Sequence, residues 1–198
     1  MDLFDELGYG ETGLADVLQR AGVSKGAFYY HFDSKEAVAT AIIEEYRHRN
    51  TEAVLEALDL SSSLLERIIV ASFTSAAILK SETAARVGNE LLQALGQVSS
   101  ISTQIYEEWT QDFTRNLTRA LGEVGMRDGV DAAEFAKATW AGVLGSHLLS
   151  SALGDETFSW LAAGWGFMLR VALHEQALGH YQDLLKRLSE GRSVDALN

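Results

Sequence analysis

TGLADVLQRAGVSKGAFYYHFDSK, residues 12–35, spells two short helices joined by a tight turn. Leu14, Val17 and Leu18 fall at i, i+3 and i+4, so they make one apolar stripe on a first helix that Thr12 is placed to cap. Gly22 stands where the chain must reverse, because glycine tolerates positive φ, and Val23 is expected to tie the turn to the core. Ser24 then caps a second helix. On it Phe28 and Phe32 lie four apart and face inward, which leaves Lys25, Gly26, Tyr29, Tyr30 and His31 toward solvent or toward a groove.

Exposed aromatics beside a lysine need a partner. Tyrosine hydroxyls and lysine ammoniums are good donors to phosphate, and a glycine near the start of a helix lets the backbone approach base edges. The layout is that of a helix-turn-helix reader of DNA. A plain three-helix packing unit would show the same Leu14, Val17, Phe28 and Phe32, but not the aromatic pair flanked by Lys25 and His31.

Working outward, residues 3–46 read LFDELGYGETGLADVLQRAGVSKGAFYYHFDSKEAVATAIIEEY. This stretch resembles the DNA-binding domain of the TetR family of bacterial repressors. The LF-x-x-x-G-Y start, the helix led by Thr12, the A-G-V-S-x-G turn, the Y-x-[HY]-F recognition helix and the F-x-[SN]-K-[ED]-[AD]-[LV] junction occur in the family's order. The resemblance implies an all-α protein with a DNA-binding domain over residues 1–47 and a larger helical ligand-binding and dimerisation domain over residues 48–198. It further implies that Lys25, Gly26, Tyr29, Tyr30 and His31 meet the major groove or its phosphates, with Thr12 and Lys35 contacting the DNA backbone.

Two departures from the family pattern stand out. The basic residues that usually precede the LF are missing, so the first helix reads as truncated, with upstream residues expected in the natural protein. Residues 1–50 hold nine Asp or Glu against five Lys or Arg, a balance of −4, where a DNA reader normally shows a basic patch.

The whole chain has 198 residues and a net charge of −12, with 47% hydrophobic content, enough to bury a sizeable core. It has no cysteine and no proline, so disulfides are excluded and long helices run without their usual breaker. The acidic start lacks an apolar h-region, and the most apolar late run, from Trp160 to Leu173, is interrupted by Arg170 and too short for a bilayer. A cytoplasmic protein without a membrane partner is expected.

Past the head, the periodicity predicts a long helix from about Ser34 to Leu58, on which Val38, Ile42 and Tyr46 keep the apolar stripe. Ser63 with Glu66 spells a capping box. Further helices are predicted over 82–95, 100–124, 131–153 and 156–179, with a short amphipathic tail over 183–188. The helices over 131–153 and 156–179 are rich in small and apolar residues on several faces and carry Trp160, Trp165 and Phe167. They need a cover, either within the chain or from a second copy, and the resemblance favours a homodimer on palindromic operator DNA.

Trp109 shares a helix face with Ile105 and Phe113. That pattern fits core, and it also fits a flat wall for a small apolar ligand. The EW at 108–109 and the upstream ARVGNELL resemble the γ-butyrolactone autoregulator receptors of actinomycetes, a branch of the TetR family, which implies that Trp109 lines a signal pocket and that Ser146 contacts the ligand. Phe73, Leu92, Gln93 and Val143 join them from helix position. The function expected is a repressor released by a γ-butyrolactone-like signal. A multidrug-sensing efflux repressor and a helical carrier without DNA function are the alternatives.

Other patterns carry less. Gly8-Tyr-Gly-Glu-Thr-Gly13 spells GxGxxG but follows a predicted helix where a nucleotide site needs a strand. His147, His174 and His180 lack i, i+4 spacing, so no metal is expected. No cofactor is implied, and the absence of a nucleophile-base constellation argues against an enzyme.

Overall fold

The computed structural model describes residues 1–60, 62–96, 99–153 and 156–190, with side chains for all of these except 150–153. Among the described residues the chain is helical: α1 (Asp2–Glu11), α2 (Leu14–Ala21), α3 (Lys25–His31), α4 (Lys35–Ala57), α5 (Leu64–Ser81), α6 (Thr83–Leu95), α7 (Ser100–Val124), α8 (Ala132–Leu153), α9 (Thr157–Ala172) and α10 (Glu175–Ser189). No strand occurs among them; a single β-bridge joins Met126 to Leu173.

Local chemistry explains most of the boundaries. Ser24 Oγ accepts the Ala27 N–H at 3.2 Å and starts α3. Ser34 Oγ does the same for Ala37 at 3.0 Å and starts α4. Ser63 and Glu66 close the reciprocal box expected of them: the Glu66 N–H donates to Ser63 Oγ at 3.2 Å and the Ser63 N–H to Glu66 Oε2 at 2.8 Å. Asp131 Oδ1 accepts from the N–H groups of Ala133 and Glu134, at 2.9 and 2.8 Å, and opens α8.

The chain divides into two compact units. One holds Met1–Ala53 with Ala77–Tyr106, the other Val54–Ala76 with Glu107–Asn198, so the division falls within α4, α5 and α7. In the first unit Leu3, Phe4, Leu18, Phe28, Ile43, Tyr46, Val87, Leu91 and Leu92 are buried. On α4 the inward row is Ala39, Ile43 and Tyr46, with Val38 and Ile42 half-buried beside it. The second unit is built on Leu65, Ile69, Leu117, Leu121, Phe135, Trp165, Leu169 and Leu173, completed by Tyr181, Leu184 and Leu185 of α10.

The one long-range departure from the sequence reading lies at the chain's last helices. The pattern over 156–179 is broken at Leu173 and His174, both extended, and the residues expected as a tail belong to the full helix α10. The break has a tertiary cause. Leu173 pairs with Met126 while the Arg127 N–H donates to the Ala172 carbonyl at 2.8 Å and Arg127 Nε to the Leu173 carbonyl at 2.6 Å. His174 Nε2 bonds the Met126 carbonyl at 3.1 Å. These contacts satisfy the carbonyls that a helix end leaves open.

Candidate nucleic-acid interface and ligand site

Helix α2 ends in a glycine-dependent reversal. Gly22 sits at φ 65°, its N–H reaches the Gln19 carbonyl at 3.2 Å, and the Val23 N–H closes on the Leu18 carbonyl at 3.0 Å. That pair of bonds is the Schellman arrangement. Val23 itself is 39% exposed, so it does not tie the turn to the core as its apolar character suggested; the backbone bonds hold the turn instead.

The turn delivers α3 with Phe28 inward, 5.4 Å from the Tyr29 ring and 5.9 Å from the Phe32 ring. Its outer face is what the spacing predicted. Lys25, Gly26, Tyr29 and His31 are exposed, and Tyr30 is 84% exposed, its ring edge-on to His31 at 4.9 Å. A Cβ added at Gly26 would meet no atom of the chain, which leaves the backbone open to a close approach.

Two residues assigned to DNA contact serve other ends. Thr12 is only 1% exposed; its hydroxyl donates to the carbonyls of Leu3 and Gly8, at 3.1 and 2.7 Å, and it closes α1, while Gly13 is the N-cap of α2. It therefore neither caps the second helix nor offers its hydroxyl to phosphate. Lys35 Nζ donates to the carbonyls of Tyr9 and Thr12, both at 2.8 Å, and lies 4.2 Å from the centre of the Tyr9 ring. It clamps the α1–α2 turn onto the start of α4 with two of its three N–H groups. Gly8, at φ 74°, supplies the bend inside α1 that lets its carbonyl turn to Thr12. The glycines of the GxGxxG string thus belong to a helix and a helix cap.

The arginines of this unit are paired. Arg20 grips Glu6 with both nitrogens, at 3.1 and 2.9 Å, and this bonding and charge hold the Glu6 carboxyl below its usual range. Arg47 meets Glu44 at 3.1 Å, and Arg49 bridges Glu52 and Glu82 at 3.2 and 3.0 Å. Arg86 of α6 reaches Asp5 of α1 at 2.9 Å. Helix α6 is also seated tightly on α4. A Cβ at Gly88 would overlap that of Tyr46 and stand 3.1 Å from the Ile42 carbonyl. Burial raises the Tyr46 phenol well above its ordinary pKa, so it stays neutral there. None of the α6 contacts had a local signal, because each partner lies at least 33 residues away in sequence.

The ligand candidates fall in both units. Leu92, fully buried, and Gln93, exposed, belong to the first. Phe73, Trp109, Val143 and Ser146 belong to the second. There Phe73 is buried and stacks on Phe158 at 6.0 Å, Val143 is buried, and Trp109 is half-buried. Ser146 is buried and its hydroxyl donates to the Gly142 carbonyl at 2.9 Å, which leaves its lone pairs to accept. The aromatic ground around them is wider than the sequence suggested. Phe113 lies 4.7 Å from Trp140 and 6.3 Å from Trp165. Both indoles are satisfied, Trp140 Nε1 by Thr110 Oγ1 and Trp165 Nε1 by Ser72 Oγ, each at 2.9 Å. His147, next to Ser146, loses hydration inside the protein, which lowers its pKa to about 4. Among the described residues no group of His, Asp and Glu is arranged to hold a metal.

A glycine-turned helix pair with an open aromatic face, in an all-helical chain whose second compact unit has its own core, is the arrangement of helix-turn-helix proteins. Residues 1–42 match the family described as "Bacterial regulatory proteins, tetR family". The A-factor receptor protein of Streptomyces griseus is 28% identical over 185 residues, 90% of this chain and 62% of that one. A crystal structure of a γ-butyrolactone receptor, an ArpA-like protein, superposes with a TM-score of 0.78 at 26% identity, covering 96% of this chain and 92% of its own. CprB of Streptomyces coelicolor, solved in complex with its biological operator sequence, superposes at 0.70 and 26% identity, again over 96% and 92%. The chain spans about three fifths of the length of the first curated relatives it matches. Residues 1–42 thus carry the DNA-binding domain of the TetR family, and the chain as a whole is similar to the A-factor and γ-butyrolactone receptors.

Proposed function

We propose that this chain is a ligand-responsive transcriptional repressor that holds a palindromic operator as a homodimer and releases it when a small apolar signal of the γ-butyrolactone class binds. The observation that carries the reading is the outer face of α3, where Lys25, Gly26, Tyr29, Tyr30 and His31 stand open on a helix anchored by Phe28. Residues 1–47 form the head in this reading. Tyr29, Tyr30 and Lys25 donate to phosphate oxygens and base edges, and Gly26 permits close approach. The DNA role does not extend to the hydroxyl of Thr12, which is buried and committed within the protein, while Lys35 keeps its charge and one N–H for the DNA backbone. The similar protein solved on its operator supports the DNA reading.

For the signal, the site proposed is built on Trp109, Phe73, Val143 and Ser146, with Trp109 as an apolar wall and Ser146 as a hydrogen-bond acceptor. Leu92 and Gln93, in the other compact unit, are not included. The γ-butyrolactone class is favoured by the similar receptors. The dimer reading draws support from Leu148 and Leu149 of α8 and Trp160, Phe167 and Val171 of α9, all left exposed. Apolar residues gathered on two neighbouring helices are the usual mark of a surface that meets another protein. No described helix is long and apolar enough to cross a membrane, and a repressor that acts on DNA works in the cytoplasm.

The test is binding to DNA from the region upstream of the protein's own coding sequence. A palindromic fragment bound in preference to scrambled DNA, with Trp109→Ala abolishing release by a γ-butyrolactone while leaving DNA binding intact, is the expected result. Equal affinity for scrambled DNA would refute the repressor reading.

A further inference from the structure

The buried hydroxyls of Thr12, Ser72, Thr139 and Ser146 each donate to a carbonyl of the chain, at 3.1, 2.7, 2.9 and 2.9 Å. Ser102 differs. It is 0% exposed, and its Oγ meets no hydrogen-bond partner. A second buried oxygen, Asn50 Oδ1, is open in the same way and belongs to the same compact unit. Polar atoms cut off from water are nearly always bonded, so the two together call for a group that the chain does not supply.

The two stand on neighbouring helices. Asn50 lies one turn beyond Tyr46 on the inward row of α4, and Ser102 one turn before Tyr106 on α7, beside the buried Ile105. The Tyr46 and Tyr106 phenols are near enough for the second to raise the pKa of the first further than burial alone. Helix α6 closes a third side: Gly88 meets the Tyr46 side chain, and a Cβ at Gly96 would stand 3.1 Å from the Tyr106 ring. Among the described residues no Asp, Glu, Lys or Arg is buried, so an ion held here would lose its hydration without gaining a counter-charge.

We propose that Ser102 and Asn50 bind the hydroxyl of a small neutral molecule held between α4 and α7, in the unit that carries the α3 face. A hydroxyl donates and accepts at once, so it can take the Ser102 proton and give its own to Asn50 Oδ1. An ether or a lactone carbonyl only accepts and leaves Asn50 unanswered, and a carboxylate brings a charge. The repressor reading needs no such site, and Trp109, Phe73, Val143 and Ser146 belong to the other unit.

The experiment is calorimetric titration of the 198-residue chain with γ-hydroxymethyl-γ-butyrolactone and with its methyl ether, repeated for Ser102→Ala and Asn50→Ala, together with the thermal midpoints of all three proteins without ligand. The alcohol is expected to bind about tenfold more tightly than the ether, a preference that both variants lose. The midpoint is expected not to fall in Ser102→Ala, because a hydroxyl without a bond has none to forfeit. Equal affinity for the two compounds, no binding of the alcohol because water alone answers the two oxygens, or a midpoint lowered by Ser102→Ala overturns the site. No DNA enters the test, so each of these results leaves the repressor reading where it stands.

Discussion

Tyr30 keeps its ring in water on a helix whose opposite side, Phe28, is buried, and this is an arrangement that folding alone does not require. Its hydroxyl is open to DNA, so Tyr30→Phe is expected to weaken operator binding by about 1 kcal/mol, roughly fivefold, with the thermal midpoint unchanged. Competition binding alongside calorimetry checks both halves of that statement. His147 gives a second prediction at this scale. Its folded pKa, about 4, lies below the value near 6.5 of an unfolded chain, so between these pH values the unfolded state binds the extra proton. Stability from this group is whole above pH 6.5 and is lost as pH falls toward 4, up to about 2 kcal/mol by pH 5. Denaturant midpoints at pH 7 and pH 5 should differ accordingly, and the difference should shrink in His147→Gln. Single residues also mark where sequence reading reached its end. The types of Thr12 and Lys35 suit phosphate contact, yet both bond carbonyls around the bend at Gly8, Leu3 and Gly8 for Thr12 and Tyr9 and Thr12 for Lys35. That bend is a matter of backbone direction, to which residue type alone gives no key.

The elements were legible in proportion to how local their causes are. The α2–α3 reversal, the α3 and α4 caps and the Ser63–Glu66 box each close within a few residues, and each stands where the spacing placed it. The break between α9 and α10 has no glycine or proline to announce it, because its cause is Met126 and Arg127, 46 residues earlier. The seat of α6 on α4 is equally nonlocal. Gly22→Ala should cost about 1–2 kcal/mol in a denaturant titration, from the left-handed backbone alone, since a Cβ there meets no neighbour. Gly88→Ala is a different fault: the new methyl has no room beside Tyr46 and the α6–α4 contact must open. A loss of about 1–3 kcal/mol is expected, and Tyr46→Ala in the same chain should recover part of the Gly88 penalty in a double-mutant cycle.

Across the whole molecule, the α8–α9 apolar residues and the α3 face belong to different compact units, one suited to a second copy and one to DNA. Phe167, 58% exposed, is the test of the first. Phe167→Glu is expected to shift the chain to monomer in light scattering and to weaken operator binding more than tenfold, because one head alone reads half a palindrome. Effector coupling is the remaining claim, and linkage fixes its form: a ligand that weakens DNA binding must itself be weakened by DNA to the same factor, typically about 5- to 150-fold. The decisive measurement is the affinity of the chain for its upstream operator fragment with and without a saturating γ-butyrolactone, ligand occupancy being followed independently by tryptophan fluorescence. The account predicts specific binding that falls at least about fivefold when the ligand is bound; operator affinity identical in the free and the ligand-saturated protein would contradict it.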